Sequence, residues 1–236
     1  MNNFSANIIE IFSSIQGEGV YLGRKQVFVR FSGCNLACAY CDTDSEHGQN
    51  FYSIAELIEE IRKLNVTPHH SISITGGEPL LSSDFLKEFL PEARKTFPKL
   101  KIYLETNGAL PDELKEIISY VDIVAMDIKL ESSTGQPMPF EEHKKFIKIL
   151  KGKEFFVKVV FTQDLREDEI ELVKKLLTLR GGGSSSSAQD DVTLILQPVT
   201  EQEITQKKLF AVQNEFLKDI KDVRLIPQTH KYLNLR

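Results

Sequence analysis

All three cysteines of this 236-residue chain lie between positions 34 and 41, as Cys34, Cys38 and Cys41. The spacing Cys-x3-Cys-x2-Cys lets three thiolates on one short loop face the same metal centre. Structural zinc normally takes four protein ligands, and iron–sulfur clusters that only transfer electrons are usually held by four cysteines. Three cysteines without a fourth therefore predict an iron–sulfur cluster in which one iron is open to an exchangeable ligand.

The cysteine motif could also belong to a packed core or to a zinc site. Free thiols that pack as small hydrophobic groups would be scattered through a core rather than gathered on one loop. A zinc site completed by His47 or by a distant histidine is chemically reasonable, because imidazole and thiolate both bind zinc. Zinc motifs usually pair their ligands as Cys-x2-Cys or His-x3-His, so the spacing favours the cluster. A zinc-binding module without enzymatic activity stays open as the non-enzymatic alternative.

Composition limits the classes of protein to consider. A formal net charge of −5 argues against a broad nucleic-acid surface, which needs clustered basic residues. No segment approaches the roughly 18 apolar residues of a membrane span, and the N-terminus has no basic region ahead of a long apolar stretch. With 41% hydrophobic residues, we expect a single domain over residues 1–236. Cysteines confined to one motif predict no disulfides and a cytoplasmic protein.

Segments rich in β-branched residues alternate with amphipathic segments along most of the chain. The predicted strands cover residues 26–31, 71–75, 101–105, 122–129, 155–161, 192–197 and 223–226, and the predicted helices cover residues 53–65, 84–96, 112–120, 140–151, 166–180 and 203–218. This alternation predicts an α/β fold of parallel βα units joined by right-handed crossovers. About six such units make a partial, open parallel βα barrel. We expect the candidate site residues to lie on its rim, after the carboxyl ends of the strands.

Other segments carry local structural predictions. Residues 8–12 predict an edge strand that runs into a polar loop at residues 13–19. Ser53 should cap the following helix in a capping box with Glu56. A Gly/Ser loop at about residues 181–191 should be a flexible surface segment without chemistry. His69 and His70 precede a strand, away from the rim, and should be solvated rather than bound to metal.

Charged residues at the ends of apolar strands are the next candidates. Arg30 ends an otherwise apolar strand, where an unpaired guanidinium is costly, so it should meet a carboxylate. That partner is either Glu10 or Glu18 of the same chain, or a ligand. Asp127 and Lys129 also end a buried strand, where polar groups at a barrel mouth contact ligands more often than chance. A salt bridge between these two residues is the alternative.

The cysteine loop also carries a family resemblance. Tyr40 is an aromatic residue directly before Cys41, and Gly76-Gly77-Glu78-Pro79 follows a strand. Together with the cysteine spacing, these features resemble the signature of the radical S-adenosylmethionine (SAM) superfamily. The resemblance implies a [4Fe-4S] cluster held by Cys34, Cys38 and Cys41. It also implies SAM bound at the unique iron and cleaved reductively to a 5′-deoxyadenosyl radical.

Further segments narrow the resemblance to one family. Those that carry it are residues 10–19, 28–36, 41–43, 75–79 and 228–233. Together they resemble the 7-carboxy-7-deazaguanine synthase family, a group of carbon–nitrogen lyases. The resemblance implies conversion of 6-carboxy-5,6,7,8-tetrahydropterin into 7-carboxy-7-deazaguanine and ammonia, in queuosine and other 7-deazapurine biosynthesis. It also implies a Mg2+ requirement, a homodimer and an electron donor such as flavodoxin or ferredoxin.

The same resemblance assigns roles to individual residues. Ile15, Gln16, Gly17 and Thr75 would line the pterin pocket, with Arg30 on the substrate carboxylate. The SAM contacts would be Tyr40, Cys41, Asp42, Gly77, Asp127, Ile128, Lys129, Gln197, Pro198, Val199 and Thr200. Thr43 would coordinate Mg2+, which prefers oxygen ligands. No side chain is required as a base for the first hydrogen abstraction, because the radical comes from SAM.

Some features depart from the family pattern. The family often has a tryptophan in the cysteine loop, where this chain has Ala37 and Ala39. The Gly/Ser loop is also outside the pattern. A glycyl-radical-enzyme activase remains an alternative, since it too is a small radical SAM barrel. Its protein substrate would not require Arg30 or the Ser-Ile-Gln-Gly-Glu-Gly pocket.

Overall fold

The structure is a computed structural model that describes residues 5–41, 50–178, 192–200 and 202–235. Within these residues one open sheet has the strand order β3-β1-β2-β4-β5-β6-β7-β8-β9. The strands are β1 (Ser5–Ile15), β2 (Lys25–Phe31), β3 (Phe51–Ser53), β4 (Ser71–Gly76), β5 (Lys101–Thr106), β6 (Ile123–Ile128), β7 (Glu154–Phe161), β8 (Thr193–Pro198) and β9 (Asp222–Leu225). All neighbouring pairs from β2 onward are parallel. The prediction of an open, parallel α/β sheet is confirmed.

Helices connect most of the parallel strands. They are α1 (Ile54–Lys63), α2 (Ser83–Thr96), α3 (Pro111–Ile117), α4 (Glu131–Thr134), α5 (Phe140–Ile149), α6 (Glu167–Thr178), α7 (Gln206–Phe216) and α8 (Thr229–Tyr232). The predicted helices agree with these bounds to within a few residues. The short α4 and α8 were not predicted, because four residues give no readable amphipathic pattern.

The predicted capping box at the start of α1 is confirmed. Ser53 Oγ accepts a hydrogen bond from the Glu56 N–H, and the Glu56 carboxylate accepts one from the Ser53 N–H at 2.8 Å. Leu57, Ile58 and Ile61 lie on the buried face of the helix. The amphipathic pattern and the cap therefore both place this helix where the sequence indicated.

The prediction that the first strand is an edge strand is wrong. β1 lies between β2 and β3 and pairs antiparallel with both. It also extends to Ile15, because Ser13 pairs with Val27 and Ile15 with Lys25. Of the strands described, β3 and β9 are the outermost.

This antiparallel pairing also corrects the predicted position of one part of the site. Ile15 pairs with Lys25, the first residue of β2, so β1 ends at the edge opposite the carboxyl ends of the parallel strands. Residues 15–17 therefore do not lie on the predicted rim. They approach the site from the other edge of the sheet.

The two faces of the sheet are different in chemistry. On β7, Val157 and Val159 belong to the apolar core that packs under the helices. Phe156 belongs to a smaller apolar cluster on the opposite face, and Lys158 lines a cavity. Since alternate residues of a strand face opposite sides, this concave face carries the polar residues of the site.

Three other predicted features concern a histidine, a loop and the possibility of a membrane span. His69 is buried and lies 2.8 Å from Ser13 Oγ, so the prediction that it is solvated is wrong. The Gly/Ser loop at residues 181–191 falls outside the described residues. Among the helices described, none has the length and apolar character needed to cross a bilayer.

Candidate functional site

A cavity of about 380 Å³ lies on the concave face of the sheet. It brings together most of the residues predicted to form the site. The predicted residues that line it are Ile15, Gln16, Gly17, Arg30, Cys34, Cys38, Tyr40, Cys41, Thr75, Gly77, Asp127, Lys129 and Gln197. Residues that are far apart in the sequence therefore line the same cavity.

The remaining predicted residues lie elsewhere. Ile128 is buried in the core under the helices, so only its backbone is left for the predicted SAM contact. Val199 lines a neighbouring cavity of about 420 Å³, together with Tyr40 and Cys41. Pro198 and Thr200 line neither cavity. Asp42, Thr43 and His47 fall outside the described residues.

The cysteine loop is held by backbone contacts at both ends. The Glu78 N–H donates to the Gly33 carbonyl at 2.8 Å, directly before Cys34. At the other end the Ala39 N–H donates to the Thr134 carbonyl at 3.0 Å. Burial raises the pKa of the Cys34 and Cys38 thiols. Their charged form is therefore favoured only when a cation or metal is bound nearby.

The three thiols line one cavity but do not meet at one point. In the part of the chain that the structure describes, no three His, Cys, Asp or Glu side chains are close enough to bind one metal ion in common. A cubane cluster does not require such a point, because each cysteine binds a different iron.

A chain of partly buried ion pairs lines the cavity. Lys129 Nζ lies 2.9 Å from Asp127 Oδ2 and 3.1 Å from the Tyr40 hydroxyl. Lys158 bridges Asp127 Oδ1, at 3.2 Å, and the carboxylate of Glu18. The predicted Asp127–Lys129 salt bridge is thus present as part of a larger network.

The pKa values within this network follow from the pairing. Burial alone would raise the pKa of Glu18, but Lys158 lowers it to about 2. Burial opposes the charge on Lys158 and Lys129, yet Asp127 and the other nearby acids raise the pKa of both ammonium groups. Glu18, Lys158 and Lys129 therefore stay ionised at neutral pH.

The first and last segments of the described chain meet at this cavity. Gln228 Nε2 donates to Glu18 Oε1 at 2.9 Å, and the Thr229 N–H donates to the Gly17 carbonyl at 2.9 Å. A Cβ on Gly17 would lie 2.4 Å from the His230 ring, so only glycine allows this close approach. Residues 16–18 and 228–230 together form one wall of the cavity.

Glu105 is a half-buried carboxylate on the cavity surface. It accepts hydrogen bonds from Gln16 Nε2 at 2.9 Å and from Ser73 Oγ at 3.1 Å. Burial raises its pKa. Gln16 also donates to Gln26 and accepts from the Glu18 N–H, so its side-chain amide is fixed in one orientation.

Arg30 lies at the cavity and forms an internal ion pair. Its Nη1 is 2.7 Å from Glu10 Oε1, as one of the alternatives predicted, and its guanidinium lies over the Phe12 ring. Both charged side chains are little more than a quarter exposed. Glu10 and Phe12 therefore hold the Arg30 guanidinium at the cavity wall.

Several cavity residues were not assigned a site role from the sequence. Of these, Lys158 had the clearest signal, because it is the single charged residue within the apolar segment 155–161 of β7. Glu105 similarly ends an apolar strand. For Gln228 and His230, the resemblance to the family was the available signal in the sequence. Their approach to residues 16–18 depends on the long-range fold, which no local pattern records.

The sequence of this chain is similar to those of known proteins. Residues 28–176 match the family model described as the Radical SAM superfamily. A 7-carboxy-7-deazaguanine synthase from Geobacter sulfurreducens is 34% identical and covers 99% of both chains. One from Methanothermobacter thermautotrophicus is 36% identical and covers 98% of both.

A solved structure supports the fold. The crystal structure of QueE from Escherichia coli matches with a TM-score of 0.61 and 20% identity, covering 96% of this chain and 95% of that one. At this identity the match speaks for the fold alone. The sequence relatives favour the synthase interpretation over the activase and zinc-module alternatives.

Proposed function

This chain belongs to the radical SAM superfamily and, within it, to the 7-carboxy-7-deazaguanine synthase family, and we propose that it catalyses the reaction for which that family is named. The substrate is 6-carboxy-5,6,7,8-tetrahydropterin, and the products are 7-carboxy-7-deazaguanine and ammonia. The observation that carries the proposal is the single cavity shared by the three cysteines and the residues predicted to bind the pterin. The product is a precursor for queuosine and other 7-deazapurines.

Superfamily membership implies a [4Fe-4S] cluster and SAM. When bound, they supply a 5′-deoxyadenosyl radical through one-electron cleavage of SAM. Cys34, Cys38 and Cys41 would hold the cluster, since they line one cavity on a loop anchored at both ends. The three cysteines would bind iron as thiolates.

SAM would lie between the cluster loop and the strand ends. Tyr40, Gly77, Asp127 and Lys129 line the cavity next to the cysteines. Asp127 is fixed by two ammonium groups, so its carboxylate is already oriented when the ligand arrives. The backbone of Ile128, residues 197–200 and residue 42 complete the proposed contacts.

The pterin would occupy the part of the cavity next to residues 15–17. Arg30 would bind the substrate carboxylate, using donors not engaged by Glu10, since a guanidinium has five N–H groups. Thr75 and Gln16 would contact the ring. Glu18, Lys158 and Asp127 line the same cavity and are linked to one another by ion pairs.

The remaining parts of the proposal concern partners. We propose that Thr43 binds Mg2+, that two copies form a homodimer, and that a flavodoxin or ferredoxin supplies electrons in the cytoplasm. We also propose that residues 1–236 form a single domain. A Thr43→Val variant should show a weaker response to added Mg2+, and an unchanged metal titration would exclude that role.

The decisive experiment is an anaerobic assay of the reconstituted protein. The mixture contains reductant, SAM, Mg2+ and the carboxytetrahydropterin, and mass spectrometry detects the deazapurine. We expect product from the wild-type chain and none from a Cys38→Ala variant prepared in the same way. SAM cleavage without deazapurine at saturating substrate would contradict the proposed reaction.

A further inference from the structure

Asn107 is a buried residue whose backbone and side chain are all engaged within the protein. It follows β5 and is 5% exposed. Its N–H donates to Glu78 Oε2 at 2.7 Å, and its carbonyl accepts from His143 Nε2 at 2.9 Å. Two elements, the turn after β4 and helix α5, therefore fix this residue from opposite sides.

The orientation of the Asn107 carboxamide is determined by a third contact. Its Oδ1 lies 3.0 Å from the Ala109 N–H, and a backbone N–H can only donate. The Nδ2 group must therefore point the other way. There it donates to Asn35 Oδ1 at 2.7 Å. Asn35 directly follows Cys34, so this contact reaches the cysteine loop at its first ligand.

His143 supports this arrangement from outside the cavity. It is fully buried on α5, and burial lowers its pKa to about 4, so the ring is neutral at physiological pH. Since the Asn107 carbonyl can only accept, Nε2 carries the proton. Nδ1 has no hydrogen-bond partner among the residues described. Burying a polar imidazole ring costs free energy, and the hydrogen bond to the Asn107 carbonyl offsets part of that cost.

We propose that Asn107 is a positioning residue for the cysteine loop, clamped by Glu78 and His143 so that its carboxamide fixes Asn35 and, through it, Cys34. The proposal rests on the proposed function only in taking the cysteines as cluster ligands. The far end of the loop has separate anchors, from Thr134 to Ala39 and from Gln136 to Ala37. Loss of the Asn107 contact should therefore act on Cys34 more than on the other thiols.

Alkylation of the metal-free, reduced protein tests this directly. Iodoacetamide labelling followed by peptide mass spectrometry gives a separate rate for each cysteine. Asn107→Ala should raise the rate at Cys34 by about threefold to tenfold, as expected for the loss of one buried hydrogen bond. Asn35→Ala should have the same effect, and the double variant should add little, because both changes remove one contact.

Two further variants serve as matched controls. His143→Gln keeps an N–H donor for the Asn107 carbonyl and should restore much of the wild-type rate, whereas His143→Leu should resemble Asn107→Ala. Gln136→Ala removes the contact at the other anchor, at 3.3 Å from the Ala37 nitrogen, and should leave Cys34 unchanged. If Asn107→Ala does not fold, the Cys34 alkylation rates of Asn35→Ala, His143→Gln and His143→Leu test the same contact.

Either of two results would overturn the proposal. One is a Cys34 rate in Asn107→Ala and Asn35→Ala that stays within about twofold of wild type. The other is an equal rise at all three thiols together with reduced folding stability, which would assign a general structural role. Iron bound per chain after anaerobic reconstitution is the second readout and should fall in Asn107→Ala. The alkylation rates need no cluster, SAM or substrate, so they remain interpretable even if the synthase assay fails.

Discussion

Arg30 shows how one side chain can have both a structural and a binding role. It already pairs with Glu10 at 2.7 Å, yet it also lines the cavity. Its place in an apolar strand requires a carboxylate partner but does not indicate where that carboxylate comes from. The internal partner is now identified, and the substrate carboxylate stays a prediction.

A pair of variants separates these roles. Arg30→Ala should weaken substrate binding by roughly 2–5 kcal/mol, because a buried substrate carboxylate would lose its charged partner. Glu10→Gln breaks the internal salt bridge but leaves the guanidinium, so it should have a much smaller effect. Substrate affinity can be measured by titration calorimetry under anaerobic conditions. Equal losses in the two variants would show that Arg30 acts only through Glu10.

The cysteines lead to a second prediction for single residues. Changing Cys34, Cys38 or Cys41 to Ala should each prevent stable cluster assembly and abolish SAM cleavage, since no fourth cysteine exists to replace the lost ligand. Iron content and release of 5′-deoxyadenosine measure the two effects. A Ser119→Ala change at an exposed position before β6 serves as the control. Retained SAM cleavage in any cysteine variant would remove that residue from the ligand set.

At the level of elements, the ends of β2 and β4 must come very close together. Gly76 has a φ of +129°, and a Cβ there would lie 2.1 Å from the Phe31 carbonyl oxygen. This contact lies directly before the cysteine loop. Only glycine can hold this backbone geometry without moving the neighbouring strand.

Substitution of this glycine should therefore be costly. Gly76→Ala should reduce the free energy of unfolding by at least about 1–3 kcal/mol from backbone strain, with a further loss from the clash. Gly23→Ala is a matched control, because its φ is also positive while no atom lies within 4 Å of the added Cβ. Urea unfolding of the two variants gives the comparison. Similar destabilisation by both changes would mean that the close approach carries no extra cost.

The accuracy of the sequence predictions also differed between elements. Helix α1 was placed well because its cap and its apolar spacing are both local signals. The antiparallel position of β1 and the existence of β3 depend on which strands pair, and no local pattern records that choice. For the same reason the approach of residues 15–17 from the opposite edge was missed, although their place in the cavity was expected.

For the whole molecule, the buried histidine predicts a pH dependence of stability. The pKa of His143 is lowered from 6.5 to about 4 in the folded protein. Between these values the unfolded chain binds a proton that the folded chain does not, so folding stability falls as the pH decreases through this range. The loss should reach about 3 kcal/mol near pH 4.

Comparison with His143→Gln isolates this contribution. The variant lacks the titrating ring, so its free energy of unfolding should decrease less between pH 6.5 and pH 4 than that of the wild type. Urea titrations of the metal-free protein across this range provide the measurement, with the acidic residues contributing equally to both proteins. Parallel stability curves for the two chains would argue against a neutral buried ring.

The contact between Glu18 and Gln228 joins positions separated by 210 residues. A ribosome must therefore synthesise the chain as far as residue 228 before this wall of the cavity can form. Until then the cysteine loop, which is translated early, faces a cavity that lacks the contribution of residues 228–230. We therefore expect a chain truncated before residue 228 to keep the cysteine loop but to lose this wall of the cavity.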